Sequence, residues 1–267
     1  MDIGLVLGGG GARCFAHLGV IRALEEREME PQTLATCSTA SILGALYAAG
    51  HSVERILDLA KEVDFGSFVA FDPSGNGLVS NKKILDFLDE HAPATFEELS
   101  KTLAVVATDI QTGESLTFRS GELAPAVCAS NALPGVFEPV HYAGRYLLDG
   151  GILNIVPVDV IRETVSTTVV AVDVSQSPKR KLELGNEPLW QKLTSSSGTP
   201  RALQILKKAY VIRENMIRDA RYEKTPPDIN IRPDLPDDLS EQDFGRAEEA
   251  VEIGYASAVA VLDERGF

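Results

Sequence analysis

The fold is decided by two stretches of sequence: IGLVLGGGGARCFAHLGVIRAL, residues 3–24, and ATCSTASILGALYAAG, residues 35–50. Each is typical of a buried strand, a sharp turn of small residues and a helix. The first turn exposes backbone amides of consecutive glycines at a helix start. The second places the hydroxyl of Ser38 where a strand turns into a helix. Exposed N–H groups beside a nucleophile on a turn are what acyl transfer requires.

Composition limits the class of protein. The 267 residues, 44% of them apolar, are enough for one sizeable core, and we expect a single domain over 1–267. The net charge of −14, from 25 basic and 39 acidic residues, argues against nucleic-acid binding. The three cysteines form no CxxC pair and signal neither a disulfide framework nor a metal site. With no signal stretch at the N-terminus, these features predict a cytoplasmic location.

Hydrophobic periodicity predicts strands alternating with helices along the chain. Strands are expected at 2–7, 33–37, 103–108, 115–118, 168–174 and 229–233, with a hairpin at 140–148. Helices are expected at 13–27, 39–49, 53–63, 81–90, 123–130, 201–224 and 244–265. This alternation predicts an α/β protein with a mostly parallel sheet covered on both faces. The segment 175–200, which contains Trp190, is expected to be a mobile excursion from the single domain.

Ser38 is the candidate nucleophile. A strand–serine–helix turn is the geometry of a nucleophile elbow, which projects the hydroxyl above the sheet and aims the helix N-terminus at the reacting carbonyl. The alternative is that Ser38 only caps the following helix. Capping is the commonest role of serine before a helix, and this stretch alone favours it.

The glycine-rich turn is a candidate oxyanion loop, and its members are Gly8, Gly9, Gly10 and Gly11. The simplest alternative is a tight turn. A dinucleotide-binding loop would need a further glycine where Arg13 or Cys14 stands, and a P-loop would need Gly-Lys-Ser/Thr where Ala12 and Arg13 follow. Spacing therefore excludes both phosphate loops. A nest of amides suited to a transient oxyanion remains.

Asp149 is the candidate base for Ser38. It lies between an apolar strand and two glycines, a position that also suits an ordinary turn aspartate. The four histidines offer little competition, because none has a sequence context that marks it as the base of a triad.

Five segments together resemble the patatin-like phospholipase family, in the family's order. They are GLVLGGGGARCFAHLGVIRALEE (4–26), GALYAAG (44–50), ATDIQTGE (107–114), ASNALPGVFEPV (129–140) and LLDGGILNIVPVDV (147–160). The resemblance implies a three-layer α/β/α fold and hydrolysis of lipid acyl esters by a serine–aspartate dyad. It puts the nucleophile at Ser38, the base at Asp149 and the oxyanion loop at Gly8 to Gly11, with Arg13 beside it. It requires no metal or cofactor.

The sequence departs from the family at three places near the candidate site. Thr36 and Ala40 replace the two glycines of the G-x-S-x-G elbow, and Cys14 replaces a glycine after the loop arginine. We expect Thr36 to crowd or shift the elbow, because it is bulky and β-branched. The changes leave three interpretations open: a tolerant variant, an engineered sequence, or a weakened member that binds acyl lipids without turning them over.

Cys14 supports an alternative nucleophile. It lies in the first turn of a helix, where the helix dipole lowers the pKa of a thiol, and His17 follows three residues later. The other interpretation, a buried residue that fills the place of a glycine, is the one we favour.

The helix expected at 201–224 suggests a contact with the membrane. Four apolar residues recur at helical spacing and basic residues surround them. This pattern, with Trp190 nearby, allows peripheral contact of 190–224 with a lipid surface. A helix that packs inward and has a solvated basic face is the account that we favour.

Overall fold

The computed structural model describes residues 3–62, 80–164, 168–179 and 201–267. Within them, eight strands form one sheet in the order β5-β6-β3-β2-β1-β7-β8, and β4 pairs with β3. The strands are β1 (Ile3–Leu7), β2 (Thr33–Cys37), β3 (Thr102–Asp109), β4 (Ser115–Phe118), β5 (Val140–Tyr142), β6 (Arg145–Asp149), β7 (Thr168–Val172) and β8 (Ile229–Ile231). The five strands β3, β2, β1, β7 and β8 run parallel, whereas β4 and β6 run antiparallel to β3.

Helices cover both faces of this sheet. They are α1 (Ala16–Glu25), α2 (Thr39–Ala48), α3 (Val53–Glu62), α4 (Lys82–His91), α5 (Leu123–Asn131), α6 (Val158–Arg162), α7 (Arg201–Lys224) and α8 (Ala247–Glu264). On one face, alternate strand residues such as Leu5 and Leu34 pack in one core with α1, α2, α5 and α8. On the other face, residues such as Val6 and Ala35 pack against α6 and Tyr222 of α7. The α/β prediction with a mostly parallel sheet is confirmed.

The register of the sheet brings two distant segments to one level. Cys37 of β2 pairs with Val106 of β3, and Asp149 of β6 pairs with Ala107 of β3. Ser38 follows Cys37, so it reaches the row that Asp149 occupies on the far side of β3. The loop after β1 lies at the same edge, because the carboxyl ends of parallel strands meet there.

The structure departs from the predicted elements at several points, among them the start of the last helix, where a 3₁₀ turn spans Phe244–Arg246 before α8. The first helix does not begin at Arg13 as an α-helix: a 3₁₀ turn spans Gly11–Phe15, and α1 begins at Ala16. The short helix α6 was not predicted, because five residues after Pro157 are too few to show a helical period. The excursion expected at 175–200, with Trp190, lies from residue 180 onward outside the described residues.

Candidate active site

Ser38 occupies a strained turn between β2 and α2. Its φ of 55° and ψ of −140° are rare for a residue with a side chain. The turn is held by neighbours: the Ser38 amide donates to Ser130 Oγ at 2.8 Å, and the Ser38 carbonyl accepts from the Ser41 hydroxyl at 2.7 Å. The Ser38 side chain makes no capping hydrogen bond to α2. The interpretation of Ser38 as only a cap is therefore wrong.

The hydroxyl of Ser38 donates to Asp149 Oδ2 at 2.7 Å. Asp149 is 3% exposed, and its Oδ1 accepts from the Gly151 amide at 2.7 Å. The Thr108 hydroxyl donates to the Asp149 carbonyl at 3.0 Å and fixes the backbone there. One carboxylate oxygen is thus used for orientation, while the other faces the hydroxyl. This is the arrangement that a general base for Ser38 needs.

The environment of Asp149 sets its protonation. Burial raises its pKa to about 6, while the hydrogen bonds from Ser38 and Gly151 act in the opposite direction. The charge of Glu241 raises the pKa further and that of Arg213 lowers it. A carboxylate with a pKa of about 6 is mostly ionised at pH 7 and is more basic than an ordinary aspartate.

Within the described residues, no histidine forms a hydrogen bond with the side chain of Ser38 or Asp149. His17 is buried, and its Nε2 lies 2.7 Å from the carbonyl oxygen of Gly8. Burial lowers the pKa of His17 to about 4, so it is neutral at pH 7. His51 is bound through Nε2 to the carbonyl of His91. The site is therefore a serine–aspartate pair.

The glycine loop offers two amides rather than three or four. The Gly8 amide donates to the carbonyl of Val172 at 3.0 Å, and the Gly9 amide donates to that of Ile155 at 2.9 Å. The amides of Gly10 and Gly11 make no hydrogen bond within the described parts of the chain. The oxyanion role of the loop stays a prediction, and within the described residues only Gly10 and Gly11 have amides left for it. Gly8 and Gly9 instead fix the loop.

Two of these positions demand glycine. Gly11 has a φ of +57°, and a Cβ built there would lie 2.3 Å from the carbonyl oxygen of Glu241. A Cβ on Gly9 would lie 2.9 Å from Ser38 Cβ and 2.6 Å from Ile155 Cδ1. The loop backbone can approach Ser38 this closely only because it has no side chains.

Arg13, which the resemblance puts beside the oxyanion loop, is bound to backbone carbonyls. Its Nε donates to the carbonyl of Val174 at 2.8 Å, and its Nη1 donates to those of Leu239 at 3.0 Å and Pro236 at 3.4 Å. Arg13 is 6% exposed. The guanidinium thus ties the glycine loop to the segments after β7 and β8. Its role is to position the loop.

Cys14 is fully buried, and the thiol lies 3.6 Å from the carbonyl oxygen of Gly8. Burial raises the pKa of Cys14, with a further rise from the charge of Glu241. The alternative of a Cys14 thiolate is therefore wrong, because desolvation outweighs the helix dipole, and the favoured interpretation of a buried residue is confirmed. Cys37 and Cys128 are also buried with raised pKa values. Cys37 is a neighbour of the pair, since its Sγ lies 4.0 Å from Asp149 Oδ1.

The elbow accommodates the residues that replace its glycines. Thr36 is fully buried, and its hydroxyl donates to the carbonyl of Ala104 at 3.2 Å. Its methyl lies over Gly44 of α2, because a Cβ on Gly44 would be 2.6 Å from Thr36 Cγ2. The expected crowding at Thr36 is thus relieved by a glycine on the facing helix. Ser38 keeps its strained conformation despite the change.

Gly44→Ala is expected to destabilise the protein by roughly 1–3 kcal/mol, because the new methyl overpacks against Thr36 Cγ2. Thr36→Ser removes that methyl and keeps the hydroxyl, so the double variant should regain most of the loss. Urea unfolding of the two single variants and the double variant measures the coupling. Purely additive free energies would contradict the proposed contact.

Sequence reasoning missed a group of side chains that α7 brings to the site. Glu214 Oε1 would lie 3.2 Å from a Cβ on Gly151, so this carboxyl borders the turn that orients Asp149. Burial raises the pKa of Glu214 to about 9, and the charges of Glu241 and Asp149 add to the rise. Glu214 is therefore protonated at pH 7. Helical spacing does not predict that Glu214 faces the site, because tertiary contacts decide which side of α7 faces the sheet.

One buried and one partly exposed ion pair hold α7 in this orientation. Arg218 Nη1 lies 2.9 Å from Asp173 Oδ2, and both residues are buried. Arg221 donates to the carbonyl of Leu153 at 2.8 Å and to Asp159 Oδ2 at 2.6 Å. These contacts attach the charged side of α7 to the strand ends and to the turn after Asp149.

The apolar stripe of α7 faces outward. Ile205, Ile212 and Met216 are 47%, 41% and 69% exposed, and Ala209 is also exposed. The favoured expectation, a helix with its apolar side packed inward and its basic side solvated, is therefore wrong. The ion pairs of Arg218 and Arg221 turn the basic side of α7 toward the protein, so the apolar stripe on the opposite side faces outward.

The described residues hold no signature of two other kinds of site. No group of three or more histidine, cysteine, aspartate or glutamate side chains there has the arrangement of a metal site. Among the same residues, no helix is both long enough and apolar enough to cross a bilayer.

The fold and the site define a three-layer α/β protein with a serine–aspartate pair beside a glycine-rich loop. Residues 5–162, more than half of the chain, match the family described as Patatin-like phospholipase. This chain belongs to the patatin-like phospholipase family. That assignment agrees with the motifs that carried the resemblance.

Relatives and a solved structure extend this result. An uncharacterized NTE family protein of Mycobacterium tuberculosis is 37% identical over 179 residues, which are 66% of this chain and 49% of that protein. Lysophospholipase NTE1 of Pyricularia oryzae is 28% identical over 98% of this chain and 18% of its own length. This chain thus spans half or less of these curated relatives.

The crystal structure of VipD from Legionella pneumophila has the same fold. It superimposes with a TM-score of 0.61 at 17% identity, covering 98% of this chain and 66% of that one. At this identity, the likeness concerns the fold alone.

Proposed function

We propose that this chain is a serine hydrolase that cleaves acyl esters of lipids or phospholipids. The observation that carries the proposal is the 2.7 Å hydrogen bond from the Ser38 hydroxyl to the buried carboxylate of Asp149. An alcohol becomes an effective nucleophile when a positioned base takes its proton. Membership of the patatin-like phospholipase family supports lipid ester hydrolysis as the class of reaction.

The reaction has two halves. Ser38 Oγ attacks the ester carbonyl while Asp149 Oδ2 accepts its proton. The developing oxyanion is stabilised by the Gly10 and Gly11 amides, which are bound to no other group in the described residues. The alcohol leaves with the proton, and an acyl–serine ester remains. Asp149 then takes a proton from water, which attacks that ester and releases the fatty acid and Ser38.

Covalent labelling tests this proposal. A fluorophosphonate should phosphonylate Ser38 Oγ with loss of fluoride, because only an activated hydroxyl displaces fluoride at a useful rate. Peptide mass spectrometry locates the label. Modification of another residue, or none, would favour the alternative of an acyl-lipid binder that does not turn over. Iodoacetamide should leave Cys14 unmodified in the folded protein, since its thiol is fully buried.

The exposed face of α7 is the proposed contact with a lipid surface. Ile205, Ile212 and Met216 face solvent, while Glu214 of the same helix borders the candidate site. An apolar stripe on a helix beside the active site would place the ester-bearing end of a lipid near Ser38. The net charge of −14 opposes binding to an anionic surface, so we expect a zwitterionic one to be preferred.

Met216→Glu is expected to weaken binding to phosphatidylcholine vesicles at least tenfold. It removes about 1.5 kcal/mol or more of apolar burial and places a charge at the interface. Co-sedimentation measures the bound fraction. Phe267→Glu is the control, because Phe267 is 43% exposed but belongs to neither α7 nor the site. Equal binding of both variants would contradict the role of α7.

A further inference from the structure

Along one edge of its guanidinium, Arg213 of α7 has no hydrogen-bond partner in the described residues. Its Cζ lies 4.1 Å from the ring centroid of Tyr210, so the plane is stacked on an aromatic face. Its Nε and Nη2 are buried and have no hydrogen-bond partner in the described residues. A buried donor without a partner destabilises the folded state. A side chain with two such donors is typical of a site for an acceptor from outside the chain.

Arg213 lies close enough to the candidate active site for its charge to act on the carboxyls there. Arg213 precedes Glu214, whose carboxyl lies against Gly151, the residue that donates to Asp149. The charge of Arg213 lowers the pKa of both Asp149 and Glu214. A phosphate bound to Arg213 would therefore lie within electrostatic range of Asp149, the partner of Ser38.

The other arginines near the site are already engaged. Arg13 donates to backbone carbonyls, Arg218 pairs with Asp173, and Arg221 pairs with Asp159. The surroundings are otherwise acidic. A substrate with a negative charge would be repelled unless a cation received it, and among these four arginines Arg213 has donors to spare.

We propose that Arg213 binds the phosphate of a phospholipid headgroup while the acyl ester lies at Ser38. Nε–H and one N–H of Nη2 form a single edge, and two parallel hydrogen bonds from this edge match two oxygens of a phosphate. Stacking on Tyr210 fixes the plane in advance. This inference rests on the proposed function and deepens it by naming the residue that would favour phosphate-bearing lipids over neutral glycerides.

The decisive measurement is a ratio of specificities. For wild type and Arg213→Met, kcat/KM is determined with a lysophosphatidylcholine and with the monoacylglycerol that has the same acyl chain, both below their critical micelle concentrations. The ratio of the two should fall at least tenfold in Arg213→Met, mainly through KM of the phosphate substrate. Any change in Asp149 caused by loss of the positive charge acts on both substrates and cancels. Arg213→Lys should recover only part of the ratio, since lysine lacks the two-pronged edge.

Lys224→Met is the matched control. It removes one positive charge from the same helix at an exposed position and should leave the ratio within about twofold of wild type. An unchanged ratio in a folded Arg213→Met protein would overturn the inference. So would inorganic phosphate that competes with the neutral ester in an Arg213-dependent way while the lipid ratio stays unchanged, because that marks a site for free phosphate.

A binding measurement separates this inference from the proposed function. An ether-linked lysophospholipid has no acyl ester, so its affinity does not depend on catalysis. Calorimetry should give at least tenfold weaker binding to Arg213→Met than to wild type, even if neither protein hydrolyses any ester. Equal affinities would refute the role of Arg213. Absence of hydrolysis together with unequal affinities would refute only the proposed function.

Discussion

Ser38→Ala is expected to lower kcat/KM for a lipid ester by roughly 10⁴-fold or more, because removing the nucleophile of a serine hydrolase leaves only the residual effect of binding and oxyanion stabilisation. The fold should survive, since the hydroxyl is half-buried and the Ser38 backbone keeps its bonds to Ser130 and Ser41. Hydrolysis of a short-chain nitrophenyl ester, with circular dichroism as the check on folding, measures the effect.

Two controls make this experiment specific. Cys14→Ala should retain at least half of the activity, because the Cys14 thiol is buried and its carbonyl partner Gly8 is also held by His17. Ser38→Ala should also lose the fluorophosphonate label, whereas Cys14→Ala should keep it. Undiminished turnover in Ser38→Ala would show that Ser38 is not the nucleophile and would contradict the proposed mechanism.

Much of the fold could be predicted from local patterns. The alternation of short apolar runs and helical periods is read directly from neighbouring residues, and it located seven of the helices and the sheet strands within a few residues. The turn at Ser38 has a local signal as well, because a strand, a serine and a helix of small residues are adjacent in sequence. The short helix α6 has no such signal.

The site was harder to predict from the sequence, because its residues come together only through tertiary structure. Ser38 and Asp149 are separated by 111 residues, and the pairing of Ala107 with Asp149 across β3 is not encoded in any short stretch. The resemblance to a family supplied that partnership. It could not supply what is particular to this chain: the space over Gly44, the use of the Gly9 amide by Ile155, or the outward turn of the apolar stripe of α7.

Asp149→Asn is the second large effect, and it should lower activity while raising stability. Loss of the base should reduce kcat/KM by roughly 10³-fold or more, because an amide cannot accept the proton of Ser38. In wild type, kcat/KM should rise about tenfold per pH unit below the pKa of about 6 and level off above it, since the ionised carboxylate is the active form. A pH profile of nitrophenyl ester hydrolysis measures this.

The stability effect follows from the same pKa. The folded protein holds the Asp149 proton up to about pH 6, whereas an ordinary aspartate loses it near 3.8. Between these values the folded state binds more protons than the unfolded state, so the free energy of unfolding falls as pH rises. A difference of about two pKa units corresponds to about 3 kcal/mol of the free energy of unfolding, and the protein has lost all of it once the pH is well above 6.

Asparagine at 149 escapes this loss but gives up a hydrogen bond. Its single acceptor oxygen cannot serve both the Ser38 hydroxyl and the Gly151 amide, which costs about 1 kcal/mol. Asp149→Asn should therefore be more stable than wild type by about 2 kcal/mol at pH 8 and should have no advantage at pH 4. Urea unfolding at both pH values gives the comparison, and a variant less stable than wild type at pH 8 would contradict burial as the cause of the raised pKa.

Asp109→Asn provides the contrast in sign. The Gln111 amide and the Arg145 guanidinium lower the pKa of Asp109. Its ionised form therefore stabilises the fold at pH values above the ordinary pKa of aspartate, and this stabilisation is lost on acidification. Asparagine there should destabilise the protein at pH 8. At pH 8, the change in the free energy of unfolding should therefore have opposite signs for Asp109→Asn and Asp149→Asn. This difference would show that the fold stabilises the Asp109 carboxylate, whereas the Asp149 carboxylate lowers stability. A carboxylate of the second kind is expected where it must stay basic enough to accept a proton from an alcohol.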